Sequence, residues 1–299
     1  MSSSRRQDVL TVAGLLLLAV LFPLLVSASA GTLEIARNDD WLYRRIAVDL
    51  ARTGRLALGG MSSTMIVGQI LFAQPFLWLS GLQPWAFTAA GVVFAVGGIL
   101  SAYALARQLL PARRAVLAAT LLTLFPGYLA YATSFMSDVP ALAAQFLCLA
   151  LGARAVRYRP VHVGWLVAST TIGLFAFSIR EFALAAPAGV MVAAVVADHG
   201  RSRTWAFAIA VAAGCVAIFV WKSTLAGQLP PLLFPHESFT ESTQALSTLA
   251  FVIAPAALVG AIGGAIIFAG SICSLDSSWA GSLRPRDCSS GWETGPCPP

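Results

Sequence analysis

The chain has 299 residues, 58% of them hydrophobic and only 11% Asp, Glu, Lys or Arg, with a formal net charge of +6. A mean hydropathy of +0.79 excludes a soluble domain and describes a polytopic helical membrane protein. Nucleic-acid binding is excluded too, because the basic residues sit in short stretches between apolar runs, with no recognition motif and no soluble basic face.

A spanning helix needs roughly 20 apolar residues. Runs of that order extend from Val9 to Ala30, Trp85 to Leu109, Ala115 to Thr133, Ala141 to Val156, Val163 to Phe177, Phe182 to Ala197, Trp205 to Trp221 and Leu249 to Ile272. They predict an all-α transmembrane bundle of about eight spans over residues 1–272. Arg5 and Arg6 before the first run, and Ser27-Ala28-Ser29-Ala30 at its end, have the form of a signal peptide, but the length of the run favours a retained anchor.

The loop after this first run carries the helix-periodic series Leu42, Ile46, Leu50, with Arg44, Arg45 and Arg52 on the other side and Gly54 as a C-cap. This predicts an amphipathic helix on the outer membrane surface, capped by Asn38, with Asp39 and Asp40 in its first turn and Trp41 and Tyr43 at the interface. The next stretch, Met65 to Leu82, is apolar but broken by Gly68, Gln69, Gln74 and Pro75, so it is expected to lie along or dip into the outer leaflet.

Orientation follows from the arginines. With a cytoplasmic N-terminus in the cell (plasma) membrane, the inner side collects Arg5, Arg6, Arg107, Arg113, Arg114, Arg154, Arg157, Arg159, Arg201 and Arg203. The first outer loop runs against this rule with Arg37, Arg44, Arg45, Arg52 and Arg55, which points to an anion site there. Cys148 and Cys215 fall inside spans, the three histidines are dispersed, and no metal-ligand spacing appears. Residues 273–299 change abruptly to Ser, Pro, Gly, Cys and Trp without periodicity, and are expected to be a disordered tail, read out of frame on a truncated gene.

Asp39 and Asp40 are the principal candidates for chemistry. As structural residues they would cap the surface helix and pair with Arg44 and Arg45; as functional residues they would supply a general base or a metal ligand at the bilayer surface. Asp138, opening the fourth span in Ser137-Asp138-Val139-Pro140, and Arg180 with Glu181, between the fifth and sixth, face the same compartment in this topology. Their structural readings are an N-cap and a local ion pair.

The Asp39-Asp40-Trp41-Leu42-Tyr43 loop, the helix ending Ala51-Arg52-Thr53-Gly54-Arg55, the Gln74-Pro75-Phe76 stretch closing at Leu79-Ser80-Gly81, and the Ser-Asp-Val-Pro turn together resemble the GT-C superfamily of integral-membrane glycosyltransferases. The likeness is to the branch that holds protein mannosyltransferases and lipid A aminoarabinose transferase, and covers roughly Val9 to Ala197. It implies that the key acid of the first outer loop is Asp39 or Asp40 and that the later outer-loop acid is Asp138. It also implies a polyprenyl-phosphate-linked sugar as donor and a lipid, glycan or protein as acceptor. Members of the family are generally longer, so the resemblance implies a C-terminally truncated chain and leaves inactivity through that truncation as an open alternative.

Such a donor has a polar head at the surface and a tail in the bilayer. An Asp would take the proton of the attacking acceptor hydroxyl, and Arg44, Arg45 or Arg180 would hold the phosphate as its charge grows. A divalent cation bridging carboxylate and phosphate would act at the same place, though no ligand cluster marks it. The competing readings are a multi-pass transporter, which normally carries ionisable groups or broken helices at the bilayer midplane, and a non-catalytic membrane protein.

Overall fold

The computed structural model describes residues 3–33, 35–36, 39–58, 65–198 and 201–225. Arg37, Asn38, the last apolar run and the 273–299 tail lie outside the described residues. All regular structure among the described residues is helical. Among the described residues four helices, Val9–Ser29, Trp85–Leu109, Asp138–Val156 and Thr204–Thr224, are long and apolar enough to cross a membrane, and Val67–Ser80, Val163–Phe177 and Glu181–Ala197 are shorter apolar helices.

The first apolar run is one continuous rod: α1 (Ser3–Leu16), a π-helical turn (Leu17–Leu21) and α2 (Phe22–Ser29), with helical dihedrals at both junctions. The wide turn ends just before Pro23, whose ring and missing N–H preclude a regular i→i−4 ladder there. Then come α3 (Asp40–Thr53), α4 (Val67–Ser80) and α5 (Trp85–Leu109). The single span expected from Ala115 to Thr133 is instead two helices, α6 (Ala112–Leu124) and α7 (Pro126–Tyr131). Pro126 forces the preceding Phe125 out of the helical region, to φ −63 and ψ 121, and the chain breaks there. The bundle is completed by α8 (Asp138–Val156), α9 (Val163–Phe177), a 3-10 turn (Glu181–Leu184) running into α10 (Ala185–Ala197), and α11 (Ser202–Leu225).

Helix α8 is central, packed on α5, α9 and α10. Without a hydrophobic drive between helices in lipid, close approach through small residues and interhelical hydrogen bonds holds such a bundle. Both are present. A Cβ on Gly173 of α9 would lie 2.6 Å from Pro187 Cβ of α10, and one on Gly98 of α5 would lie 2.7 Å from the Tyr128 hydroxyl. Tyr128 donates to Ala95 O at 2.5 Å, Ser169 Oγ to Cys148 O at 2.7 Å and Gln108 Nε2 to Ala150 O at 3.0 Å.

Charged groups gather at the two ends of the bundle. At one end α3, α4, the start of α5 and residues 135–136 share a core built on Leu42, Tyr43, Ile46, Ile70, Leu77, Phe87 and Phe135. At the other, Arg157 reaches the C-terminal end of α5 and Arg159 that of α10.

Candidate functional site

The site builds from the way α3 is seated. Its apolar face, Leu42, Tyr43, Ile46 and Ala47, is buried in that core, and Gly54 ends it in the left-handed conformation at φ +69, donating to Leu50 O at 2.8 Å. With that face fixed, the register of the first turn is fixed as well. The N-cap position falls to Asp39, whose carbonyl accepts from Leu42 N at 3.0 Å and Tyr43 N at 3.3 Å. The Asp39 side chain makes no capping bond and is exposed. Asn38, the expected cap, lies outside the described residues.

Asp40 is the opposite case. It is 0% exposed, and both of its oxygens are taken by Arg44: Nε to Oδ1 and Nη2 to Oδ2, each at 2.7 Å. The backbone N–H of Phe135 adds a third bond to Oδ2 at 3.3 Å. Arg44 is itself nearly buried and sits 5.4 Å from the Phe87 ring centroid, a cation–π contact. The two adjacent acids therefore differ in kind: Asp39 is open to the surroundings, and Asp40 ties α3 to the loop before α8. Arg45 turns away, exposed and 3.9 Å from Asp49, so the ion pairing expected of Arg44 and Arg45 falls to Arg44.

Phe135 leads within three residues, at most roughly 10 Å of chain, to Asp138 at the start of α8. Ser137 holds the N-cap position there, but its hydroxyl is buried without a partner. The Asp138 carboxylate meets Arg180, whose Nη2 is 3.2 Å from each oxygen. Glu181 pairs with Lys222 near the end of α11, 3.6 Å away, so the local Arg180–Glu181 pair expected from their adjacency is absent among the described residues. The reason is backbone geometry: Arg180 is extended, at φ −145 and ψ 138, and successive side chains on an extended chain point to opposite faces.

The first turn of α4 locks these pieces together. Gln69 Nε2 donates to Phe135 O at 2.6 Å, and Gly68 N donates to Ser178 O at 3.0 Å. A Cβ at Gly68 would fall on the Ser178 hydroxyl, so this approach requires glycine. Around this frame lie three buried polar atoms with no partner among the described residues: Gln69 Oε1, Ser137 Oγ and Arg180 Nε. Such groups normally find a partner in water or a ligand. No group of three or more His, Cys, Asp or Glu side chains comes together among the described residues.

Sequence reasoning passed over Lys222 and Gln69. Lys222 is the only lysine in the chain, which was a signal open to a reader of the sequence. Gln69 left no such trace, because its partner is a backbone carbonyl 66 residues away.

The profile of a family described as dolichyl-phosphate-mannose-protein mannosyltransferase matches residues 67–225, more than half of the chain. The matched segment contains Asp138, Arg180, Glu181 and Lys222 and begins after the Asp39–Asp40 loop. No curated protein matches the sequence.

Proposed function

The chain belongs to the dolichyl-phosphate-mannose-protein mannosyltransferase family, membrane glycosyltransferases of the GT-C type, and from that premise we propose that it moves a sugar from a polyprenyl-phosphate donor to a hydroxyl acceptor on the non-cytoplasmic face of the membrane. Asp39 is the general base in this reading, and the observation that carries it is the contrast within the acid pair. A base must reach the substrate, and Asp39 is exposed with a carboxylate not engaged in capping, whereas Asp40 is buried with both oxygens occupied.

The acceptor oxygen attacks the anomeric carbon and bonds to it as the bond from that carbon to the phosphate oxygen breaks. The acceptor proton passes to the Asp39 carboxylate, and the electron pair leaves with the polyprenyl phosphate. A single direct displacement of this kind inverts the anomeric centre. Arg180 is the group that meets the leaving phosphate: it is held by Asp138, and its Nε is unpartnered among the described residues. Lys222, kept at the same end by Glu181, adds a second positive charge. Asp40 and Arg44 are positioning residues, because they set the start of α3 against the Phe135–Asp138 turn. The acceptor is a lipid, glycan or protein presented at that surface.

The test is sugar transfer from polyprenyl-phosphate mannose by the chain reconstituted in proteoliposomes. Asp39→Asn should lower the rate about 10²–10⁴-fold, the usual range for a well-placed base, with normal insertion and thermal stability. Undiminished turnover in Asp39→Asn would end Asp39's claim to be the base.

A further inference from the structure

At the end of the bundle away from Asp39, the α8–α9 turn holds a set of guanidiniums that the transfer reaction does not use. Arg157 donates from Nη2 to Gln108 O at the end of α5, and Arg159 donates from Nη1 to Ala197 O at the end of α10. The guanidinium carbon of Arg154 lies 4.3 Å from the Trp165 ring centroid. All three arginines are nonetheless exposed, as are Tyr158 between them and Arg201 on the neighbouring loop. Between residues 105 and 205 the chain has three acids. Two of them, Asp138 and Glu181, are at the far end, and the third, Asp198, is buried and 3.8 Å from Arg201.

The physical consequence is a positive surface with fixed geometry. Free arginines at a membrane surface lose side-chain entropy when they bind, whereas these are already anchored, each by one part of its planar group. The helix C-termini that anchor Arg157 and Arg159 each contribute about half a negative charge, which four guanidiniums outweigh. Each anchored arginine also keeps further N–H donors, since a guanidinium carries five. In a membrane protein the ends of the spans lie at headgroup depth, where exposed Tyr and half-buried Trp rings also settle. A soluble anion would have no use for these flanking aromatics.

We infer that the α8–α9 turn is a binding site for the headgroup of an anionic phospholipid, with Arg157 and Arg159 donating to its phosphate and Arg154 and Trp165 packing beside it. The general excess of arginine on one side of a membrane protein sets orientation and calls for neither anchoring nor selectivity. The site proposed here calls for both.

The experiment uses the whole chain in phosphatidylcholine nanodiscs carrying a trace of spin-labelled phosphatidylglycerol or spin-labelled phosphatidylcholine, and compares their immobilised fractions. Wild-type protein should prefer phosphatidylglycerol, and the preference should fall as salt rises, because surface charge attraction is screened. Each of Arg157→Gln and Arg159→Gln should lower it roughly fivefold, and the double variant further. Arg52→Gln with Arg55→Gln, which removes the same charge from the other end, should leave it unchanged. Equal association of the two lipids, insensitivity to salt, or a loss in Arg52→Gln with Arg55→Gln equal to that in Arg157→Gln with Arg159→Gln would overturn the inference. So would displacement of the lipid by soluble glycerophosphate, which would make this a site for a free anion. The salt dependence of the unsubstituted protein decides the matter should Arg157→Gln or Arg159→Gln fail to fold.

Discussion

Replacing Asp40 by Asn tests whether the buried acid holds the site together or performs the chemistry. The substitution keeps the shape of the side chain and removes its charge, leaving the Arg44 guanidinium, 11% exposed, facing a neutral amide. Breaking one side of a buried ion pair costs about 3–5 kcal/mol. The lower end applies here, since Arg44 retains its contact with Phe87 and a little solvent. For a chain of this size each kcal/mol moves the unfolding midpoint by about 2–4 °C, so thermal unfolding in detergent should begin roughly 6–12 °C lower. Asp39→Asn loses only the interaction of an exposed charge with the helix terminus, under about 1 kcal/mol. The double variant Asp40→Asn with Arg44→Gln should recover part of the loss, because the guanidinium facing the amide is then removed as well, and the non-additivity should reach about 1–3 kcal/mol. An Asp40→Asn protein that unfolds with wild-type thermal stability but no longer transfers sugar would refute the division of labour and make Asp40 the base.

How much of this was open to a reader of the sequence depends on the range of each interaction. The helix Asp40–Thr53 was legible because its signals are local: Leu42, Ile46 and Leu50 recur at helical spacing, and Gly54 at φ +69 is the C-cap that the pattern calls for. Most helix ends fell within a few residues of the apolar runs for the same reason. The break at Phe125–Pro126 was also written locally, in a proline placed inside an apolar run, but hydropathy averages over it. The pairings across the site were not legible. Asp40 to Phe135 N spans 95 residues and Gln69 to Phe135 O spans 66, and nothing in the one-dimensional pattern ties such positions together. Adjacency even misled at Arg180–Glu181, because an extended backbone sends neighbouring side chains apart and the true partners come from α8 and α11. The sequence named the acids and could not say which of two neighbours is buried, a property that follows from the rotation of α3 against α4.

Two further outcomes follow from the charged pairs. Arg180→Lys should weaken donor binding about 10–100-fold, the worth of charge-assisted bonds that a point charge cannot reproduce in fork geometry, whereas Glu181→Gln, which loses one loose contact, should change it little; equal effects in a donor-binding assay would remove Arg180 from the phosphate site. The last outcome concerns Lys222, which reports the orientation of the whole site without any substitution. It is the only lysine of the chain, so an amine-reactive reagent has one side-chain target. Its side chain is 16% exposed and lies 3.6 Å from Glu181, at the end of the bundle that also carries Asp39, Asp138 and Arg180. If that end faces away from the cytoplasm, a membrane-impermeant reagent should modify Lys222 in intact cells, as read by mass spectrometry of the 204–225 segment. Polyprenyl-phosphate donor should slow the reaction, because a phosphate at Arg180 covers the same surface. Modification that occurs only after permeabilisation would reverse the orientation and put the proposed transfer on the cytoplasmic face.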